Sequence, residues 1–167
     1  MTVSELIRTK RAVRQFTDEP LSDEAIRSIL DAGRRAQSSK NTQPWHFIAI
    51  RDRATLRELA ECGVYAGHLA GAPFAVALIA STADSFDLGQ AAAYMQLAAW
   101  DLGIGSCIAS MWEPEKAKTI LGVPQDLHFA VAISFGSPLP SGEQTSAPKP
   151  TGRKPFDEVV FWERWGG

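Results

Sequence analysis

The alternation of apolar and polar positions divides the chain into short elements. Val3, Leu6 and Ile7 share one helical face, so a first helix ends close to the run KRAVR at residues 10–14. Ser22 is a good N-cap, Asp23 and Glu24 follow in the first turn, and Ile26, Ile29, Leu30 and Gly33 keep helical spacing. Phe47 to Ile50 forms an apolar run after Pro44-Trp45 and predicts a strand; Leu56, Leu59 and Ala60 predict another helix. Residues 73–80 are continuously apolar, as in a strand buried on both faces of a helix-covered sheet. Residues 88–102, LGQAAAYMQLAAWDL, are apolar nearly all round and predict a central helix covered on every side. A turn and short strand over 103–110 come next, then a short helix over 114–121 with Gly122 at C′ and Pro124 beyond. Residues 128–135 predict the last strand.

Residues 137–155, rich in Pro, Gly, Ser and Thr, read as a long extended arm. The closing FDEVVFWERW is so apolar that it needs a surface to cover. There is no repeat and no domain boundary. The expectation is one domain over 1–167 of α+β class, in an α/β three-layer arrangement: a mixed, mostly antiparallel central sheet flanked by helices.

Composition narrows the function classes. With 45% hydrophobic and 22% charged residues, most of the chain is not disordered. A net charge of −2 offers no basic excess for nucleic acid. Two distant cysteines, Cys62 and Cys107, are too few for a disulfide framework and fit a reducing compartment. The N-terminal stretch lacks the apolar segment of a signal peptide, and no apolar run approaches the ~18 residues of a membrane span. The expected location is cytoplasmic, with no membrane partner.

Catalytic motifs are missing: there is no GxSxG, HExxH or Walker A loop, and GIG at 103–105 is not GxGxxG. His46, His68 and His128 are scattered and read as structural or surface residues, so no metal site is expected. Cys107 sits in an apolar stretch with no basic residue near it in sequence, which argues against a nucleophile. The Asp23-Glu24 and Asp157-Glu158 pairs fall at helix starts. What stands out is the cation cluster Lys10, Arg11 and Arg14, and the segment QSSKNTQPW at 37–45. The first is either a favourably charged helix C-terminus or a seat for an anion. The second is either a polar loop or a site for a heterocycle with many acceptors.

These stretches resemble the nitroreductase family of flavoproteins. Lys10-Arg11-Ala12-Val13-Arg14-Gln15-Phe16 is similar to the family's R-R-S-x-R-x-[FY], and residues 36–45 to A-P-S-x-x-N-x-Q-P-W. Asp87 to Cys107 resembles the long core helix and the G-x-G-S turn after it, and residues 120–138 and the late Arg153-Lys154-Pro155 also fit. The resemblance implies a homodimer with two FMN sites at the subunit interface. It implies ping-pong hydride transfer from NAD(P)H to a nitroaromatic, a quinone or a similar small-molecule electron acceptor, with no catalytic side chain required. A non-catalytic flavin-binding or redox-sensing homodimer is the alternative. Lys10, Arg11 and Arg14 match the cations on the FMN phosphate, ribityl chain and pyrimidine edge, with Ala12 in the place of a common Ser. Gln37, Ser38, Ser39 and Asn41 match the loop that reaches the flavin from the partner, Gln37 replacing a common Pro. Cys107, Ile108 and Ala109 match the segment along the isoalloxazine, and Arg153, with Lys154, the C-terminal phosphate contact. The chain is shorter than the best-known members and lacks an inserted helical pair, which implies an open substrate side.

Overall fold

Local capping chemistry sets the helix starts. The computed structural model describes residues 1–81, 86–140 and 152–166. Helix α1 (Val3–Thr9) opens on a capping box in which Thr2 Oγ1 accepts from the Glu5 N–H and Glu5 Oε2 accepts from the Thr2 N–H. Ser22 Oγ accepts from the Ala25 N–H to cap α2 (Asp23–Arg34), and the Asp52 carboxylate accepts from the Thr55 N–H to cap α3 (Arg53–Ala60). Helix α4 spans Phe86–Asp101. Helix α5 (Pro114–Leu121) starts on a proline and stops at Gly122, whose φ of 65° is left-handed. A single turn, α6 (Phe156–Val159), lies near the C-terminus.

Four strands, β1 (Trp45–Ile50), β2 (Phe74–Ala80), β3 (Gly105–Ser110) and β4 (His128–Gly136), form a sheet in the order β1-β2-β4-β3. Every neighbouring pair is antiparallel. An isolated parallel bridge from Ala12 to Ser106 lies on the outer edge of β3, and the four-stranded sheet itself is antiparallel throughout, not mixed as the sequence suggested. All seven residues of β2 are buried, in keeping with its unbroken apolar sequence.

The sheet separates two cores. Phe74, Val76, Leu78, Ile133 and Phe135 face α2 and α4; Ala75, Ala77, Ile79 and Ala132 face α3 and α5. Helices α2 and α4 approach closely because position 33 is glycine: a Cβ there would lie 2.1 Å from Met95 Cε. Met95 is fully buried, so its truncation to Ala costs about 2–5 kcal/mol.

One expectation about the elements is corrected within the single chain. Helix α4 is not covered on every side: Leu88, Ala91, Ala92, Met95 and Ala99 are buried, but Phe86 and Tyr94 are 73% and 43% exposed. An apolar helix pattern shows that both faces need cover, not that one chain supplies it. Phe156, Val159, Trp162 and Trp165 are likewise exposed. Of the predicted arm, residues 141–151 lie outside the described residues. Its start is extended and tied to the chain after α1, through Thr17 N–H to Ser137 O (2.9 Å) and Leu139 N–H to Gln15 O (3.0 Å). Among the described residues no helix is long and apolar enough to cross a membrane.

Candidate functional site

The cation run reaches the sheet through the path of the chain beyond α1. There the backbone turns along the open edge of β3, and the Val13 N–H donates to Ser106 O (2.9 Å). Gly105 permits this approach, since a Cβ there would stand 2.6 Å from Val13 Cβ. Phe16 is buried and bridges Pro138, so residues 10–16 are held at both ends. The run is thereby laid along β3, the strand that carries Cys107, Ile108 and Ala109, with Ala12 bridged to Ser106 and Lys10 near Cys107. Of the three strand residues 107–109, only Ile108 is exposed (44%), because strand alternation turns Cys107 and Ala109 into the opposite core.

The helix-end reading of the cations has direct structural support. Arg11 Nη1 donates to the carbonyls of Arg8, Thr9 and Lys10 at 3.0, 3.1 and 3.1 Å, closing the C-terminus of α1. Lys10 is half-buried, and burial pulls its ammonium below the ordinary lysine value, while nearby Cys107 acts in the opposite sense. Cys107 therefore does have a basic neighbour, supplied by the fold from 97 positions earlier in sequence (107 minus 10).

The second polar segment is a strained turn. Lys40, Asn41 and Gln43 have φ of 50°, 55° and 49°, and such residues cost of order 1–3 kcal/mol each. Gln43 N–H donates to Ser38 Oγ (2.9 Å), and Ser39 N–H donates to Asp87 Oδ2 (3.1 Å) on the first turn of α4. Gln37, Ser39 and Asn41 are exposed and Ser38 half-buried. This turn and the cation run lie at opposite ends of α4, because Trp100 Nε1 at the far end donates to Thr9 Oγ1 (3.1 Å). Thirteen residues from Asp87 to Trp100 span about 20 Å of helix.

Sequence reasoning missed the polar residues behind β3. His68, only 9% exposed, has Nδ1 2.8 Å from Ser134 Oγ, which also donates to the Cys107 carbonyl (3.3 Å). His68 Nε2 is buried and unpaired among the described residues. Burial depresses this imidazole's pKa; the Ile108 backbone counters that in part, and the Arg14 charge reinforces it. On the other face, Gln96 Nε2 donates to Ser106 Oγ (3.2 Å). Nothing local in sequence marks these pairs, since each joins residues from different elements. Arg153 and Lys154 are exposed, and among the described residues no hydrogen bond or ion pair ties them to β3. No described group of three His, Cys, Asp or Glu residues could hold a metal.

The family model described as the nitroreductase family matches residues 7–63 and 61–137, which include the cation run, the strained turn and β3. The chain belongs to the nitroreductase family. An Archaeoglobus fulgidus protein, provisionally named NADH dehydrogenase/NAD(P)H nitroreductase, is 33% identical over 145 residues, covering 80% of this chain and 83% of its own. A solved FMN-dependent nitroreductase from Clostridium difficile superposes with a TM-score of 0.83 at 25% identity, covering 96% of this chain and 98% of that one. B. megaterium NfrA2 shares the nitroreductase fold at a TM-score of 0.85 and 23% identity. There the match covers 97% of this chain but 74% of the longer one. The present chain thus corresponds to a short form of the fold.

Proposed function

We propose that the protein is an FMN-dependent oxidoreductase. It takes hydride from NAD(P)H and passes it, in a ping-pong cycle, to a nitroaromatic, a quinone or a similar small-molecule acceptor. The observation that carries this reading is the gathering of Lys10, Arg11 and Arg14 along the open edge of β3, beside the exposed side chain of Ile108. Cations next to an apolar strand surface fit a ligand with an anionic phosphate and a flat ring system. Bound FMN supplies the two-electron hydride chemistry, which needs no protein nucleophile.

The side chains bind, orient and exclude. Lys10 and Arg11 hold the phosphate and ribityl chain, each charge-assisted hydrogen bond contributing about 1.5–3 kcal/mol. Ala12 leaves out the hydroxyl common at its position, and Lys10 is a point charge in place of a bidentate fork. Arg14 would lie on the pyrimidine side of a bound FMN, where its charge would favour the reduced form. Cys107, Ile108 and Ala109 form the strand against the ring, and Arg153 with Lys154 adds a second contact to the phosphate.

The site is completed by a second copy. The turn is tied to Asp87 at the start of α4 and the chain entering the cation run to Trp100 near its end, about 20 Å apart along the helix, so the two serve different copies of the site. In a two-fold dimer Gln37, Ser38, Ser39 and Asn41 meet the partner's cations. The exposed face of α4 and the aromatic segment 156–167 are the surfaces such a dimer covers, with 137–155 as the arm of a single domain over 1–167. Two free, buried cysteines and a hydride donor of the NAD(P)H type are in keeping with a cytoplasmic enzyme.

The test is an anaerobic titration of FMN-reconstituted protein with NADH and with NADPH. The flavin band should bleach with at least one nucleotide and return on adding a nitroaromatic. Protein that takes up no flavin would overturn the reading, and flavin that neither nucleotide reduces would leave a binding protein in place of an enzyme.

A further inference from the structure

The turn over Ser38–Gln43 closes on itself. Asn41 N–H donates to Ser38 O and Thr42 N–H to Ser39 O, both at 3.0 Å, and Gln43 N–H to Ser38 Oγ at 2.9 Å. These bonds fix the shape of the turn but not its place in the molecule. Among the described residues, the bond that ties it to a distant element is Ser39 N–H to Asp87 Oδ2, between residues 48 positions apart. Asp87 is only 8% exposed, and Gln90 Nε2 reaches its other oxygen at 3.4 Å. A carboxylate withdrawn from water is costly unless polar groups compensate it. Here one remote backbone amide and the first turn of α4 do so. An apolar side chain would cover the same surface without that cost, so a buried carboxylate here is explained by what it holds.

We propose that Asp87 is a positioning residue for the flavin site. It fixes where the Ser38–Asn41 turn stands relative to α4, and because that turn is remote from its own chain's cations, it acts on the site of the partner subunit. The identity of the ligand rests on the function proposed above; the hold on the turn does not.

The experiment compares wild type, Asp87→Ala and Asp87→Asn as full-length protein, with and without FMN. Without FMN, hydrogen exchange at the Ser39, Asn41 and Gln43 amides should quicken about ten-fold or more in Asp87→Ala. In Asp87→Asn, whose amide oxygen still accepts, it should change far less. With FMN, the Kd should rise about ten-fold in Asp87→Ala and be largely rescued in Asp87→Asn. Leu56→Ala, a core truncation far from the turn, should lower the Tm and leave the Kd unchanged, separating positioning from general stability. A mixed dimer with Arg14→Ala on one chain and Asp87→Ala on the other should keep one tight site of two, because both defects fall on the same site. Unchanged exchange and Kd in Asp87→Ala would overturn the proposal, as would equal weakening of both sites in the mixed dimer. Wild type that takes up no FMN would refute the oxidoreductase reading, while the exchange data would still decide what Asp87 holds.

Discussion

Arg11 answers two demands with one side chain. Its Nη1 closes the last carbonyls of α1, and the proposed function gives its charge to the cofactor phosphate. Arg11→Ala should therefore weaken FMN binding and also lower stability by about 0.3–1 kcal/mol, the usual contribution of a cation at a helix C-terminus. The two effects separate by salt. Phosphate pairing by an exposed cation is screened, so the FMN Kd of Arg11→Ala should respond less to ionic strength than that of wild type. Equal salt dependence in both proteins would remove Arg11 from the phosphate. His68 is the residue to watch in pH. Burial and the Arg14 charge hold its folded pKa below the unfolded value of about 6.5. In acid the unfolded chain binds a proton that the folded chain does not, so stability is full above about 6.5 and is lost as pH falls towards the folded value. The urea midpoint should drop between pH 8 and pH 5 in wild type and distinctly less in His68→Asn. Parallel curves would show that the ring is not held neutral. The lowered carboxylates of Asp31 and Asp52 lose their contribution further towards acid, below about pH 4, which leaves this window to histidine.

At the scale of elements, the fold was legible wherever periodicity and capping agree. Ser22, Asp23 and the spacing of Ile26 and Ile29 define α2, and the unbroken apolar run 73–80 gives the buried β2, because these signals are local and act within one turn or one strand. Contacts across the sheet were not legible. Lys10 beside Cys107, Asp87 under the Ser39 amide and His68 on Ser134 each depend on register and chain path, which single-residue chemistry does not reveal. The cation run and the turn were visible as unusual polar stretches, but their separation along α4 was not. Gly105 tests how the first of these is placed. Adding a Cβ at that position meets Val13 Cβ at 2.6 Å, so Gly105→Ala must push residues 10–14 off the β3 edge. The β3–β4 ladder lies on the other side of β3 and is untouched. The variant should fold, with near-native circular dichroism, yet bind FMN at least ten-fold more weakly, since several charge-assisted bonds of about 1.5–3 kcal/mol each move together. Native FMN affinity in a folded Gly105→Ala would show that the cation run does not need the β3 edge.

For the whole molecule, the decisive feature is the apolar surface one chain leaves open. Phe86 and Tyr94 on α4 and Phe156, Trp162 and Trp165 near the C-terminus are all exposed in the single chain. Exposed aromatic surface on this scale marks an interaction surface, and an obligate dimer covers on the order of 2,000 Å² or more. In the proposed dimeric flavoprotein, where the turn of one copy meets the cations of the other, dimerisation and cofactor binding form one linked equilibrium. A cofactor bound only by the folded dimer at one hundred times its Kd adds about 2.7 kcal/mol of stability. Full-length protein should therefore sediment as a dimer and show a Tm that rises with FMN concentration. Removal of residues 152–167 takes away Arg153 and Lys154 together with the aromatic segment. The truncated chain should dissociate at higher protein concentration than the full chain, and FMN should raise its Tm much less. The linkage makes the outcome sharp. If truncation left the dimer constant unchanged but reduced the FMN-dependent Tm rise, the C-terminal segment would serve the phosphate alone. If both were unchanged, the segment would have no part in the site, and the exposed face of α4 would have to be covered by other parts of the partner.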